Sequence, residues 1–83
     1  MFYIYVLKSQ KNGKRYIGAS SKTGVERVVE HNSGTNKFTR HNRPWTLIYE
    51  ETFATKNEAL RREKFLKSGQ GRKWLDDSLL VRG

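Results

Sequence analysis

The stretch FYIYVLKSQKNGKRYIGAS, residues 2–20, decides the fold of this chain. Its first part is dense in aromatic and β-branched residues and ends at the polar Lys8-Ser9-Gln10, which predicts a β-strand. Asn12-Gly13 then favours a two-residue hairpin turn of type I′, in which both central residues need positive φ. Residues 15–20 are therefore predicted to form the antiparallel partner strand.

The hairpin also predicts which side chains share a face of the sheet. If Lys11 lies opposite Lys14, odd positions of the first strand pair with even positions of the second. Tyr5, Tyr16 and Gly18 then share one face, and the glycine leaves that face open beside the tyrosines. A strict two-residue loop would separate the two tyrosines by about 13 Å along the strands, and a wider loop would bring them closer. Core packing is the alternative explanation of both tyrosines.

Composition limits the class of protein. The chain has 83 residues, and we expect one domain, residues 1–83, around a single small core. The absence of cysteine excludes a disulfide framework and a zinc finger. No apolar run approaches the roughly 20 residues that span a bilayer, so we expect a cytoplasmic protein that does not bind membranes.

Charge is the strongest compositional signal. The chain has 17 Lys plus Arg against 8 Asp plus Glu, a formal net charge of +9. Such a basic domain is typical of a polyanion binder, because neutralising phosphates releases condensed counterions. Nucleic acid is the predicted partner, and a merely solvated basic surface is the alternative.

Residues 24–32 are predicted to form a short helix. Three valines form the apolar stripe expected to face the core: Val25, Val28 and Val29. Arg27 and His31 are four positions apart and share a face roughly opposite these valines, so we expect them to point toward solvent or a cleft. A solvated polar face, with His31 near the C-terminal helix dipole, is the alternative.

The polar segment 36–43 is predicted to be a loop that carries one aromatic ring, Phe38, among basic residues. It suits contact with phosphates together with stacking of one ring, although an exposed connection of a basic protein is the alternative. A third strand is predicted to follow over residues 45–53. Its alternating sets are Trp45, Leu47 and Tyr49 on one face and Thr46, Ile48 and Glu50 on the other.

Thr55-Lys56-Asn57-Glu58 is a capping box that predicts a second helix, which Gly69 would end before a short terminal helix or arm. The apolar arc of this helix comprises Ala59, Leu60 and Leu66, and Glu63 falls within it. A carboxylate in such a position is costly to bury unless it is paired or binds a metal. Glu63 is thus a candidate metal ligand, and a salt bridge to Arg27 or another basic residue is the alternative.

Five short motifs follow one another along the chain, and their order and spacing together are informative. They are Tyr3-Ile4-Tyr5, Tyr16-Ile17-Gly18, Arg27 with His31, Glu30-His31-Asn32-Ser33-Gly34, and Glu58-Ala59-Leu60-Arg61-Arg62-Glu63 with Leu66-Lys67. Over nearly its whole length the chain resembles the GIY-YIG nuclease superfamily. It most closely resembles the small single-domain bacterial proteins of the UPF0213 type, which are related to the nuclease domain of the excision-repair UvrC subunit.

The resemblance implies an α+β fold, a three-stranded antiparallel sheet flanked by helices, and metal-dependent hydrolysis of DNA phosphodiester bonds. By position, Tyr5 and Tyr16 would be the active-site tyrosines, one of them the general base that acts on the attacking water. Arg27 would hold the phosphate, and Glu63 would bind a single Mg²⁺ or Mn²⁺. His31 would support the base or the phosphate.

Two positions depart from the superfamily pattern. Tyr3 replaces the glycine of the first motif, and no asparagine follows the metal glutamate by some dozen residues, where Gln70 or Asp76 could substitute. The residues expected to contact DNA are Lys37, Arg40, Arg43, Arg72 and Lys73. The leading expectation is a structure-selective endonuclease linked to DNA repair or recombination. The alternative is a nucleic-acid-binding module with the same fold that does not cleave or depends on a partner.

Overall fold

One sheet with helices packed on both of its faces organises the chain. The computed structural model describes the backbone of residues 1–82 and the side chains of residues 1–79. In chain order the elements are β1 (Phe2–Ser9), β2 (Arg15–Ser20), α1 (Gly24–Asn32), a 3₁₀ turn (Arg40–Asn42), β3 (Trp45–Phe53), α2 (Lys56–Lys67) and α3 (Gly69–Arg82). The strands form an antiparallel sheet in the order β2-β1-β3. The predicted α+β fold with a three-stranded antiparallel sheet is confirmed.

The β1–β2 hairpin closes through a four-residue loop, residues 10–13. The Ser9 amide donates to the Lys14 carbonyl at 2.8 Å, and the Gly13 amide donates to the Ser9 carbonyl at 2.9 Å. Gly13 has a φ of +77°, whereas Asn12 does not have positive φ. The predicted type I′ turn is therefore wrong, because a four-residue loop is usually built around a type I turn, which requires no positive φ at Asn12.

The register of the hairpin pairs Tyr5 with Gly18 and Leu7 with Tyr16. Odd positions of β1 therefore do pair with even positions of β2, as predicted. The wider loop shifts the strands by two residues relative to a strict two-residue turn, and the ring centroids of Tyr5 and Tyr16 are 6.3 Å apart.

The opposite face of the sheet carries the main apolar core. Its buried members come from two strands and two helices: Ile4, Val6, Ile17, Ala59, Leu66 and Leu75. The capping box holds the start of α2, since Thr55 Oγ1 accepts the Glu58 amide at 3.3 Å. Helix α2 ends at Lys67, and α3 spans 14 residues, longer than the short helix or arm that the sequence predicted. A Cβ at Gly71 would collide with the Phe65 carbonyl, so α3 starts in close contact with α2.

The predicted alternation of β3 is wrong at its centre. Leu7 pairs with Leu47, whereas Val6 pairs with Tyr49, so a bulge at Ile48 interrupts the register. Leu47 therefore packs on the Tyr5 side of the sheet, and Tyr49 packs on the main core. A bulge inserts one residue into a strand and reverses the facing of all residues beyond it.

Helix α1 has the predicted bounds but presents a different face to the sheet. Val25 and Val29 are 63% and 64% exposed, and the buried positions of the helix are Gly24 and His31. The prediction that the valine stripe faces the core is wrong for these two valines; Val28 is partly buried against the sheet. The reason is that this face of the sheet contains the buried Tyr5 hydroxyl, which needs hydrogen-bond partners, and Arg27 and His31 of α1 supply them.

Close approach at the first turn fixes the position of α1. A Cβ at Gly24 would collide with the side chains of Leu47 and Glu50 on β3. The Glu50 carboxylate accepts a hydrogen bond from the Gly24 amide, and Thr23 Oγ1 accepts one from the Glu26 amide at 3.2 Å. The helix start is thereby joined to the sheet on the side where Tyr5 lies.

Candidate active site

The hydroxyl of Tyr5 is the centre of the candidate site. Tyr5 lies on the central strand and is 1% exposed. Its ring extends across Gly18 on β2, where any added Cβ would collide with the phenol. A residue larger than glycine at this position would therefore displace the ring, which explains physically why the second motif ends in glycine.

Two side chains of α1 meet this hydroxyl. Arg27 Nε donates to the Tyr5 oxygen at 3.2 Å, and His31 Nε2 lies 3.3 Å from the same atom. Arg27 Nη1 also reaches the Glu30 carboxylate at 3.1 Å. The four-residue spacing that the sequence showed thus points both side chains inward to one atom, and neither is on a solvated outer face.

The environment keeps Tyr5 and His31 uncharged at neutral pH. Burial raises the pKa of Tyr5 above its usual range, against the hydrogen bond and charge of Arg27. Burial lowers the pKa of His31, and the positive charge of Arg27 lowers it further. Burial alone would lower the pKa of Arg27. The hydrogen bond to Tyr5 and the charge of Glu30 outweigh burial, so the pKa of Arg27 is raised. The site therefore holds one permanent cation between two neutral groups.

Thr39 completes the set, and the sequence reasoning missed it. Its side chain is buried, and Oγ1 lies 2.8 Å from His31 Nδ1. Because the Tyr5 oxygen accepts from Arg27, the Tyr5 proton is available to His31 Nε2, and Nδ1–H then donates to Thr39. The Thr39 carbonyl also accepts the Trp45 indole N–H at 2.8 Å. No periodic pattern could indicate this residue, because it lies in the irregular segment between α1 and β3.

Tyr16 forms the open side of the site. Its ring centroid is 4.9 Å from that of His31 and 6.3 Å from that of Trp45. Tyr16 lines a cleft of about 470 Å³ together with Arg15, Ile17, Lys67 and Arg72. A second cleft of about 210 Å³ is lined by Arg27, Glu30, His31, Thr35 and Asn36. The two tyrosines therefore differ: Tyr5 is enclosed, whereas Tyr16 faces a space that could hold a substrate.

Glu63 reaches the site from α2. Its side chain is 22% exposed and pairs with Lys67 Nζ at 3.4 Å across one helical turn. The alternative of a salt bridge to Arg27 or another basic residue is thus met by Lys67 and not by Arg27, which pairs with Glu30. The charge of Glu63 is among the smaller causes that, after burial, raise the pKa of Tyr5, so the carboxylate and the phenol share one electrostatic environment.

The donor set around Glu63 suits one kind of metal. No cluster of three or more metal-ligating side chains exists among the described residues. That excludes a zinc-type cage within the described part of the chain, since such sites use three or four protein ligands. A single carboxylate fits Mg²⁺ or Mn²⁺, whose remaining ligands are water and substrate oxygens.

Comparison with known proteins decides the family. Residues 1–74 match the profile described as the GIY-YIG catalytic domain. The chain belongs to the GIY-YIG family. A UPF0213 protein of Staphylococcus saprophyticus is 43% identical over 67 residues, covering 80% of this chain and 79% of that protein. A UPF0213 protein of Bacillus pumilus is also 43% identical over 67 residues, covering 80% and 66%.

A solved structure agrees with the GIY-YIG assignment. The solution NMR structure of a UPF0213 protein from Bacillus halodurans matches with a TM-score of 0.56 and 31% identity, covering 93% of this chain and 84% of that chain. The resemblance to the GIY-YIG superfamily and its UPF0213-type proteins is thus confirmed. Family membership places the chain among nucleases, whereas the names of these relatives state no activity.

The basic residues expected to contact DNA lie on both sides of the GIY-YIG site, and all are exposed. Lys37, Arg40 and Arg43 belong to the segment between α1 and β3, next to the smaller cleft, and Arg72 and Lys73 lie on α3. Arg72 lines the larger cleft.

No helix in the described part of the chain is long and apolar enough to cross a membrane.

Both candidates for the missing asparagine lie on α3. Asp76 forms an ion pair with Arg15 at 2.6 Å, at the strand that carries Tyr16. Gln70 is exposed in the first turn of the helix. Of the two, Asp76 thus has a direct link to the strand that forms the site.

Proposed function

We propose that this GIY-YIG protein is a metal-dependent endonuclease that hydrolyses phosphodiester bonds of DNA in the cytoplasm, with a role in repair or recombination. One observation carries the proposal: the buried Tyr5 hydroxyl joins Arg27 and His31, and the ring of Tyr16, which lines the larger cleft, packs on the His31 imidazole at a centroid distance of 4.9 Å. Electrostatic binding of DNA needs only exposed cations, whereas an enclosed phenol between a guanidinium and an imidazole is an arrangement suited to chemistry.

Arg27 is the residue proposed to hold the scissile phosphate. Its contacts with Tyr5 and Glu30 fix the orientation of the guanidinium, which lines the smaller cleft. A guanidinium carries five N–H donors in a planar fork that matches phosphate oxygens. Because its pKa is raised, Arg27 remains charged and can stabilise the additional negative charge of the transition state.

Tyr16 is the tyrosine proposed to act as general base. A base must come within hydrogen-bond reach of the attacking water. Tyr16 lines the larger cleft, whereas Tyr5 is buried. Tyr5, whose pKa burial raises, keeps its proton and orients Arg27 and His31.

His31 and Thr39 are proposed to position this set. Thr39 fixes the imidazole through Nδ1, so that Nε2 accepts the Tyr5 proton and the Tyr5 oxygen remains an acceptor for Arg27. The chain of hydrogen bonds holds the guanidinium in one orientation before the phosphate arrives. Preorganised donors of this kind lower the cost of charge development in the transition state.

Glu63 would hold one Mg²⁺ or Mn²⁺ ion. When bound, such an ion supplies Lewis-acid stabilisation of the phosphate charge. The partial burial of Glu63 supports this assignment, and so does its charge, which is one of the smaller causes that raise the pKa of Tyr5 after burial. Lys67 compensates the carboxylate in the structure, and its side chain is 55% exposed, so it can turn into solvent when Glu63 takes another partner.

The proposal is tested by incubating the protein with supercoiled, linear, branched and single-stranded DNA in Mg²⁺, Mn²⁺ or chelator. We expect cleavage with metal that chelator abolishes. Glu63→Gln should abolish cleavage, whereas Asp77→Asn, which removes an exposed carboxylate of α3, should not. Lys67 is exposed, so an i,i+4 pair such as Glu63–Lys67 contributes only about 0.3–0.5 kcal/mol, and the melting temperature of Glu63→Gln should stay close to that of the wild type.

A set of hydroxyl deletions tests the roles of the tyrosines. Tyr16→Phe should eliminate cleavage, and Tyr5→Phe should reduce it, while both proteins remain folded. Tyr3→Phe is the matched control on the same strand and should retain activity. Salt-sensitive DNA binding without cleavage in any metal would favour the alternative, a nucleic-acid-binding module that keeps the fold, to which the net charge of +9 also points.

A further inference from the structure

The segment between α1 and β3 exposes one aromatic ring beside the candidate active site. Phe38 is 87% exposed, more than any other large hydrophobic side chain among the described residues. The next residue, Thr39, is 1% exposed. The apolar Phe38 is therefore exposed to water, whereas the polar Thr39 beside it is buried.

Hydrogen bonds fix the backbone that carries this ring. The Phe38 amide donates to Asn36 Oδ1 at 2.8 Å. The amides of Thr39 and Arg40 reach the Asn36 carbonyl at 3.3 Å and 3.0 Å. Thr39 is held on its other side by His31 and by the Trp45 indole. The ring is thus presented outward from a turn that is anchored at both ends.

The same hydrogen bonds place the backbone that carries the ring close to the proposed chemistry. Thr39 contacts His31 Nδ1 directly, so the Cα of Phe38 lies within about 9 Å of that atom. Asn36, which caps the Phe38 amide, lines the smaller cleft with Arg27 and His31. A nucleotide next to a phosphate held by Arg27 would therefore come within reach of the ring.

Charge indicates what the ring contacts. Residues 31–49 contain no aspartate or glutamate, and the cations near Phe38 in the sequence are Lys37, Arg40 and Arg43. A single apolar ring among these residues lacks the contiguous apolar area of a protein interface. Aromatic rings on basic grooves instead stack on nucleobases, and bases within a duplex are already stacked on each other.

We propose that Phe38 is a stacking site for an unpaired nucleobase of DNA next to the scissile phosphate, so that the protein prefers substrates with an unpaired or displaced nucleotide. The inference rests on the proposed nuclease function and adds the class of substrate. Basic residues around the ring hold the backbone of the strand, and the ring selects the nucleotide whose face is available.

The test measures binding without cleavage, in chelator, to a hairpin DNA whose single-stranded overhang contains 2-aminopurine. The reference is a fully paired hairpin whose stem contains the sequence of the overhang. Phe38→Ala should weaken binding to the overhang by about 5- to 150-fold and abolish quenching of the 2-aminopurine fluorescence. Binding to the paired hairpin should change by less than about twofold. Phe38→Trp should restore both signals, and Val29→Ala, another exposed apolar residue, should leave them unchanged.

Equal losses on both hairpins, or unchanged quenching in Phe38→Ala, would overturn the stacking site. The readout needs no turnover, so it separates the two proposals. Phe38-dependent quenching in a protein that cleaves no DNA would refute the nuclease function and retain the stacking site. If both the wild type and Phe38→Ala cleave DNA, and the ratio of cleavage of unpaired to paired substrates is the same for both, the nuclease function is retained and the stacking site is refuted.

Discussion

The two faces of strand β1 serve different purposes, although their residues alternate in one chain. Ile4 and Val6 point into an apolar core that α2 and α3 complete. Tyr5 points to the other face, where the side chains of Arg27 and His31 meet its hydroxyl. The first face buries aliphatic groups, which is the main source of stability. The second buries polar groups that need each other as hydrogen-bond partners.

This difference means that the two faces should respond differently to substitution. Removing apolar volume from the core face should lower the free energy of unfolding without changing the site. Removing a polar group from the Tyr5 face should change the proposed chemistry more than the stability, since each group there mainly orients another.

Leu66→Ala should lower the free energy of unfolding by roughly 2–5 kcal/mol, because Leu66 is fully buried in the core and its truncation leaves a cavity. Urea denaturation measures the change. At a temperature where the variant is still folded, its rate of DNA cleavage should be within about threefold of the wild-type rate. A large loss of cleavage in the folded variant would show that the two faces are not independent.

Arg27→Ala should reduce the rate of cleavage at least about a hundredfold, the scale seen when one preorganised donor to a transition state is removed. Its unfolding free energy should change far less than that of Leu66→Ala, because Arg27 is partly exposed at the cleft. Arg61→Ala, which removes an exposed cation of α2, is the control for loss of net charge. A defect confined to DNA affinity would reduce Arg27 to a phosphate anchor.

His31 should make stability depend on pH. Burial, together with Arg27, lowers its pKa, so the unfolded chain binds more protons between the folded value and the ordinary value of about 6.5. The stabilisation is complete above about pH 6.5 and is lost as the pH falls through the folded pKa. Melting temperatures measured from pH 7.5 to 5.5 should therefore fall for the wild type.

Two variants show whether His31 is the cause. The pH dependence in that window should disappear in His31→Gln and persist in His41→Gln, since His41 is exposed in the 3₁₀ turn. Glu30, Arg27 and Tyr5 also lie near the imidazole, but the pKa of Glu30 is lowered, chiefly by its hydrogen bond to Lys22, and those of Arg27 and Tyr5 are raised, so all three titrate outside the window. An undiminished slope in His31→Gln would locate the pH response elsewhere.

Local signals in the sequence were sufficient for the bounds of several elements. The bounds 24–32 and 45–53 and the Thr55 cap were predicted, because turns and caps depend on neighbouring residues. The bulge at Ile48 was not, because it arises where β3 pairs with β1 and leaves no mark in the periodicity of β3. As a result, the facing of Tyr49 was predicted incorrectly.

The Tyr5 face was harder to predict because its partners come together only through tertiary contacts. The spacing of Arg27 and His31 showed that they share a helix face, but periodicity does not indicate what that face contacts. A stripe of valines seemed the natural inward face, whereas the receiving surface is a buried phenol that needs hydrogen-bond partners. Thr39 gave no signal at all, since its contact with His31 depends on an irregular segment.

The smallest predicted effect tests this orientation of α1 directly. Val28→Ala should destabilise the protein by about 1 kcal/mol, because Val28 packs against the sheet and loses two methyl groups. Val29→Ala should be neutral or stabilising by a few tenths of a kcal/mol, because Val29 is 64% exposed and alanine is the better helix former. Urea denaturation of both variants gives the sign of each change. If Val29→Ala destabilised the protein as much as Val28→Ala, the valine stripe would be the buried face, and Arg27 and His31 could not both reach the Tyr5 hydroxyl.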